Sequence, residues 1–279
     1  MKSIKAKINS LLGVHSLLIL LLLSSCEIFN EENPLIVHDK NTQQITYYGP
    51  AKSLGNGKAQ SFITLNKGRK PVAFGIAMGE KSLDNLPSGQ GGHEGHHSFE
   101  YLLELPKQAD ITPFKFVTLD WNPMGHEPEG IFDVPHFDFH FYLISNEERL
   151  TITPLAPTIM DPEIPLSKYV PSGYIQLPGR VPNMGVHWID PTAPELNGEI
   201  FGKNFTYGTF KEKLAFMEPM ISLDYIKSKP TAPADVISLP EAFQIEGYYP
   251  SKYEVTYNAK RKEYLILMSE FTFKMSDAE

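Results

Sequence analysis

Residues 135–144 read PHFDFHFYLI, and the strict alternation inside this stretch constrains the fold more than any other feature. Phe137, Phe139 and Phe141 interleave with His136, Asp138 and His140. A strand places successive side chains on opposite faces, so this pattern predicts one aromatic face turned to a core and one polar face; a helix would scatter the aromatics around its circumference. On a strand, residues two apart lie roughly 6.7 Å apart and residues four apart roughly 13 Å. One metal ion can therefore take His136 with Asp138, or Asp138 with His140, but all three only if the strand bends or bulges.

The rest of the chain points the same way. Its 23 prolines and 20 glycines cut it into short apolar runs, and no stretch sustains a helical period over three turns. Strands are expected over 60–65, 71–78, 100–105, 115–119, 136–144, 201–207, 214–220, 253–257 and 264–273, with antiparallel pairing. Within YNAKRKEY, Lys260 to Lys262 supply a charged hairpin tip. The fold class that follows is mainly β, α+β at most: an antiparallel sandwich or barrel-like pair of sheets with short helices and long Pro/Gly-rich loops. A weak boundary near 110–114 divides an N-terminal β-rich segment, 44–113, from a C-terminal one, 114–279, that carries the histidine motif; the two can also form one compact domain. There is no internal repeat.

The amino terminus is a targeting signal. Lys2, Lys5 and Lys7 precede an apolar run that includes Leu17 to Leu23 and ends in LSSC. Cys26 is the only cysteine, placed as in the lipobox of bacterial lipoproteins, where the thiol is acylated and becomes the mature terminus. The apolar run is shorter than the ~20 residues a spanning helix needs, which disfavours a signal anchor. With Cys26 acylated no disulfide can form, and the fold must stand on its core. Residues 1–25 are then the signal peptide, and 26–43, including EIFNEENPLIVHDKNTQ, an acidic tether. Acids directly after the lipidated cysteine also resemble surface-export signals of some Gram-negative lipoproteins, beside the plainer reading as a solvated linker. The expected location is the cell envelope, at the outer membrane of a Gram-negative cell, with the lipid bilayer as partner through Cys26. Removing residues 1–25 takes three lysines and no acid, so the formal charge falls from −8 to −11. An acidic mature chain argues against nucleic acid as a partner and leaves room for a homo-oligomer.

Further ligand-type residues flank the His strand. His126 and Glu127 sit in the Pro/Gly turn WNPMGHEPEG, which leads through Asp133 and Pro135 to His136. Downstream, NMGVHWID carries His187. In KLAFMEPMISL, Glu218 lies inside an apolar run, where an unpaired carboxylate would cost several kcal/mol or lose its charge. His126, His136, Asp138, His140, His187 and Glu218 together form a candidate constellation suited to zinc, iron, manganese or nickel, read as one mononuclear site. HxD followed much later by a histidine is also similar to the two-His-one-carboxylate arrangement of non-haem iron enzymes. Each member has a plainer role open to it: His126 bonding within its turn, Asp138 capping a loop, Glu218 pairing with an arginine such as Arg180. A second cluster, His93, Glu94, His96 and His97 in GQGGHEGHHSF, lacks the rigid backbone that sets coordination geometry and reads as an exposed loop.

Nucleophilic and phosphate-cradling chemistry find no support: GxSxG, SxxK and GxxxxGK[ST] are absent, and the sole cysteine is committed to lipid. Two readings remain, a metal-binding envelope lipoprotein of unassigned activity and a non-enzymatic β-rich binding or assembly module without metal.

WNPMGHEPEGIFDVPHFDFHFYLI, with YYGPAKSLGNGKAQSFITL, MGVHWIDPTAPEL, FMEPMI and GYYPSKYEVTY, resembles an uncharacterised bacterial family of secreted or lipid-anchored proteins. One member, from Thermus, is controlled by an extracytoplasmic sigma-E factor. The resemblance runs from about residue 46 to about residue 273. Family members carry another residue at the position of Met124 and a proline at that of Glu129, which puts a role for those two in doubt. The resemblance implies a domain of unknown function and carries no catalytic residues onto this chain.

Overall fold

The computed structural model describes residues 36–89 and 98–277. The expected signal peptide, Cys26, the first part of the expected tether and the His93–His97 cluster lie outside the described residues. The described residues all fall in one compact unit.

The protein is mainly β, built from three antiparallel sheets. The first comprises β1 (Ile36–Asp39), β2 (Gln44–Tyr48), β3 (Lys52–Leu54), β4 (Gly57–Leu65), β5 (Pro71–Gly79), β13 (Asp235–Val236), β15 (Lys252–Asn258) and β16 (Glu263–Ser269). Its order is β1-β2-β4-β5-β16-β15-β13, with β3 also on β4. The second comprises β6 (Phe99–Glu104), β7 (Phe116–Asn122), β8 (His136–Tyr142), β9 (Ile175–Gln176), β10 (Val186–Ile189), β11 (Lys203–Phe210) and β12 (Lys213–Ser222), in the order β6-β7-β8-β12-β11-β10-β9. β14 (Gly247–Tyr249) and β17 (Thr272–Lys274) form a separate pair. Neither large sheet closes into a barrel. The helices are short, α1 at Asn146–Arg149 and α2 at Leu223–Lys227, each capped by a serine, Ser145 and Ser222, that accepts from a backbone N–H in the first turn.

Eight of the nine strands expected from the sequence are present with shifted ends, and the ninth, 264–273, divides into β16 and β17, which belong to different sheets. β15 and β16 pair from Lys252↔Ser269 to Asn258↔Glu263, leaving 259–262 as the charged tip. Segment 44–113 contributes strands to both large sheets: β5 pairs with β16 in the first, and β6 pairs with β7 in the second. Among the described residues no helix is long and apolar enough to cross a membrane.

The two large sheets share one core. Phe137, Phe139 and Phe141 of β8 are fully buried in it with Leu119 and Trp121 of β7 and Ile63, Phe74, Ile76 and Met78 from the other sheet. Phe74 meets Phe141 edge-on at 5.5 Å between ring centroids and stacks on Phe114 at 5.2 Å. With every odd residue of β8 turned inward, every even residue faces away from the first sheet. That outer face is covered too. Phe116, Tyr142, Phe210 and Phe216 form a second apolar cluster there, and Phe132, Phe201 and Met220 a third. Polar side chains on this face are thus taken out of water without entering the main core, and each needs a partner.

Candidate metal centre

The register of the second sheet sets the neighbours on its outer face. β7 and β8 pair Asn122↔His136, Asp120↔Asp138 and Thr118↔His140 without interruption. On the other side, β12 pairs Met217↔Phe141 and Met220↔Asp138, which brings Glu218 beside His140, and β11 places Thr206 opposite Glu218. Two histidines arrive from farther away. His187 of β10 pairs with Gly208, and its ring packs on Phe216 at 5.3 Å between centroids. Gly208 has no side chain because the Phe216 ring occupies that space; a Cβ there would lie 1.9 Å from Phe216 Cε1. His126 comes from the turn before β8. Its N–H bonds to the Phe132 carbonyl, and Gly125 beside it has φ +71°, where a Cβ would meet the Phe132 oxygen at 2.2 Å.

The six side chains form two groups of three, His126–His136–Asp138 and His140–His187–Glu218. In each, one ligand atom per residue can be chosen so that all three lie within 4.8 Å of one another. The division follows from a straight strand. β8 has no bulge to draw His136 and His140 together, so each joins a different group.

Within the first group, Asp138 Oδ1 is 3.2 Å from His136 Nε2 and Oδ2 is 3.4 Å from His126 Nε2. Within the second, Glu218 Oε1 is 3.2 Å from His140 Nε2 and Oε2 is 3.7 Å from His187 Nε2. Ligands about 2.0–2.2 Å from a common ion, at angles of about 90–110°, stand about 3.0–3.5 Å apart. Three of the four distances match that spacing and the fourth is slightly longer.

Hydrogen bonding on the far side of the His126, His136 and His140 rings fixes what the near side offers. His136 Nδ1 donates to the Val134 carbonyl and His126 Nδ1 to the Glu127 carbonyl, both at 2.7 Å. His140 Nδ1 donates to Asp120 Oδ2 at 3.0 Å, and Asp120 Oδ2 also accepts from Thr118 Oγ1 at 2.8 Å. This is the outer-shell pattern of metal-bound imidazoles, in which an oxygen holds the Nδ1 proton and leaves the Nε2 lone pair pointing inward. The carboxylates are held likewise: Asn122 Nδ2 donates to Asp138 Oδ2 at 2.7 Å, and Thr206 Oγ1 donates to Glu218. On the inner side, His136 Nε2, Asp138 Oδ1 and His140 Nε2 are buried with no hydrogen-bond partner. A ring nitrogen and a carboxylate oxygen facing each other at 3.2 Å share a cation, a proton in the metal-free protein or a metal ion in its place. The donor set fits a divalent transition ion, two imidazole nitrogens and one carboxylate in each group.

Charges respond accordingly. Burial pushes the His126 imidazolium down, but its hydrogen bond and attraction to Asp138 more than offset this and raise it to about 9. For His140, burial is outweighed by Glu218 and Asp120, and it too rises to about 9. Burial opposes the Asp138 carboxylate, yet His136 and His126 hold it well below the ordinary range. Burial lifts Glu218 to about 7 despite His140. Asp120 is raised by burial, partly countered by His140. The groups feel one another as well: Asp138 contributes to the rise of His140, and Glu218 to that of His126.

Of the plainer roles, His126 does bond within its turn, but its Nε2 faces Asp138 at the same time. Arg180 pairs with Asp161 at 3.3 Å and is not the partner of Glu218. Sequence reading did not single out the outer shell of Thr118, Asp120, Asn122 and Thr206. For three of these the signal was available: in FVTLDWN, Thr118, Asp120 and Asn122 alternate with Leu119 and Trp121 as the histidines of β8 alternate with phenylalanines.

Residues 66–121 match the TTHB210-like family, described as hypothetical protein TTHB210. The matched stretch includes Thr118 and Asp120 and ends before His126. It is consistent with a family of no assigned activity. No curated protein and no solved structure matches the chain.

Proposed function

We propose that the protein is a cell-envelope lipoprotein, anchored through acylated Cys26, that binds divalent transition metal on the outer face of its second sheet. The observation that carries the metal reading is the pairing of His136 with Asp138 and of His140 with Glu218. In each pair a buried Nε2, its Nδ1 committed to an oxygen elsewhere, faces a carboxylate oxygen at 3.2 Å without a hydrogen bond to it. Zinc, iron, manganese and nickel all accept this nitrogen–oxygen donor set. Anchoring rests on the positive n-region, the apolar run and LSSC.

The test is elemental analysis of protein purified without an affinity tag, with His93, His96 and His97 changed to alanine so that the glycine-rich loop cannot bind ions. Metal should co-purify, and His136→Ala should lower its content. Recovery of no metal, together with no uptake on adding Zn2+, Fe2+, Mn2+ or Ni2+, would leave a β-rich binding or assembly module whose histidines serve only hydrogen bonds.

A further inference from the structure

The ligand atoms divide evenly, and neither group is complete. A structural zinc site closes its shell with four protein ligands, whereas a site with three keeps at least one position open, and an octahedral ion keeps more. Each group here offers two imidazoles and one carboxylate. They are also neighbours, since Asp138 of one and His140 of the other are two residues apart on the same face of one strand, roughly 6.7 Å between Cα atoms. Both are reached from outside: the side chains of His126 and His187 are 26% and 20% exposed, whereas those of His136 and His140 are buried.

On the premise that the metal reading above holds, we propose that the two groups load two divalent ions side by side as one two-metal centre, and that this pair binds an oxyanion at its open positions. The argument is one of charge and coordination. Two divalent ions bring four positive charges into a region where the buried carboxylates Asp120, Asp138 and Glu218 supply at most three negative ones. Glu100, whose charge also acts on Asp120, is held in a two-pronged ion pair with Arg149 at 2.8 Å and 2.8 Å and adds no net charge. The loaded face therefore retains positive charge, vacant positions and, along His126 and His187, a route to solvent. Those three properties together select a small anion that ligates through oxygen, such as a phosphate or carboxylate group.

The experiment uses the tag-free full chain carrying the three alanines at His93, His96 and His97, reloaded with Mn2+. Two ions per chain are expected, with Asp138→Asn and Glu218→Gln each retaining one. Electron paramagnetic resonance of the doubly loaded protein should show dipolar coupling between adjacent Mn2+ ions, a signature that depends on neither Asp138→Asn nor Glu218→Gln folding. Inorganic phosphate, titrated calorimetrically, should bind the doubly loaded protein and fail to bind either one-ion variant. One ion per chain, lost equally in both variants, would overturn the two-metal centre while keeping the metal reading. Two uncoupled ions would overturn adjacency. Phosphate binding that is absent, or unchanged in the one-ion variants, would overturn the oxyanion site. Failure to bind any ion would remove the premise itself.

Discussion

His136 Nε2 lies 3.2 Å from Asp138 Oδ1, two residues along the same strand, and neither atom has a hydrogen-bond partner. Alternate residues of a flat strand project in parallel, so such a close approach of their tips means that both side chains lean toward a common point. Asn122 holds the other carboxylate oxygen and the Val134 carbonyl holds the other ring nitrogen, which makes the convergence a property of the surrounding frame as well as of the pair.

The frame can be tested apart from the ligands. Asp120→Asn leaves a side chain of similar size beside His140 but removes the carboxylate that holds its Nδ1 proton. Metal affinity at the His140–His187–Glu218 group should fall by about 10–100-fold, while the His126–His136–Asp138 group is affected less. Titration with a competing chelator reads both; equal loss at the two groups would show that Asp120 acts through general stability.

Metal binding competes with protons. His126 and His140 are each held protonated up to about pH 9 in the metal-free protein, and ligation needs the neutral ring. Affinity at each group should therefore rise by up to about tenfold per pH unit below pH 9, and below about pH 7 the Glu218 group should respond twice as steeply because Glu218 then also carries a proton. The same shifts govern the metal-free fold. A histidine raised from its ordinary value to about 9 contributes stability that is full below about 6.5 and is lost as pH rises through 9. Metal-free protein should thus melt at lower temperature at pH 9.5 than at pH 7, and saturating metal should reverse that trend.

Gly208→Ala would place a methyl group on the Phe216 ring, which packs between His140 at 4.8 Å and His187 at 5.3 Å. Overpacking of this kind costs about 1–3 kcal/mol. Displacing the ring should also weaken metal at the second group more than at the first. Denaturant melts and metal counts check the two effects separately, and an unchanged second group would show that Phe216 does not position the histidines.

Phe139 is fully buried at the centre of β8, facing the main core. Phe139→Ala should cost about 3–5 kcal/mol in urea unfolding.

Anchoring has its own test. Wild-type protein should partition with membranes, and Cys26→Ser should release it or block its processing. An unchanged membrane fraction and unchanged electrophoretic mobility for Cys26→Ser would count against lipidation.

Strand positions were legible in the sequence because alternation is a local property. A residue's face in a strand depends on its neighbours one and two positions away, so HFDFHFY announces both a buried aromatic face and a polar one. The same locality explains what went unread. β9 and β10, with two and four residues, are too short for a period to register, so His187 could be named as a candidate ligand but not placed on a sheet. The whole set of six could likewise be named from residue type and context, yet nothing local says which members meet. That was decided by register: β12 lies against β8 with Glu218 beside His140, β10 reaches this face across Gly208, and the turn at Gly125 folds His126 back onto Asp138. The straightness of β8 then separates His136 from His140 and divides one expected constellation into two groups. Pairing across strands depends on contacts between residues tens of positions apart, and only the packed sheet, with its outer face closed by Phe132, Phe201 and Phe216, brings them together and takes them out of water.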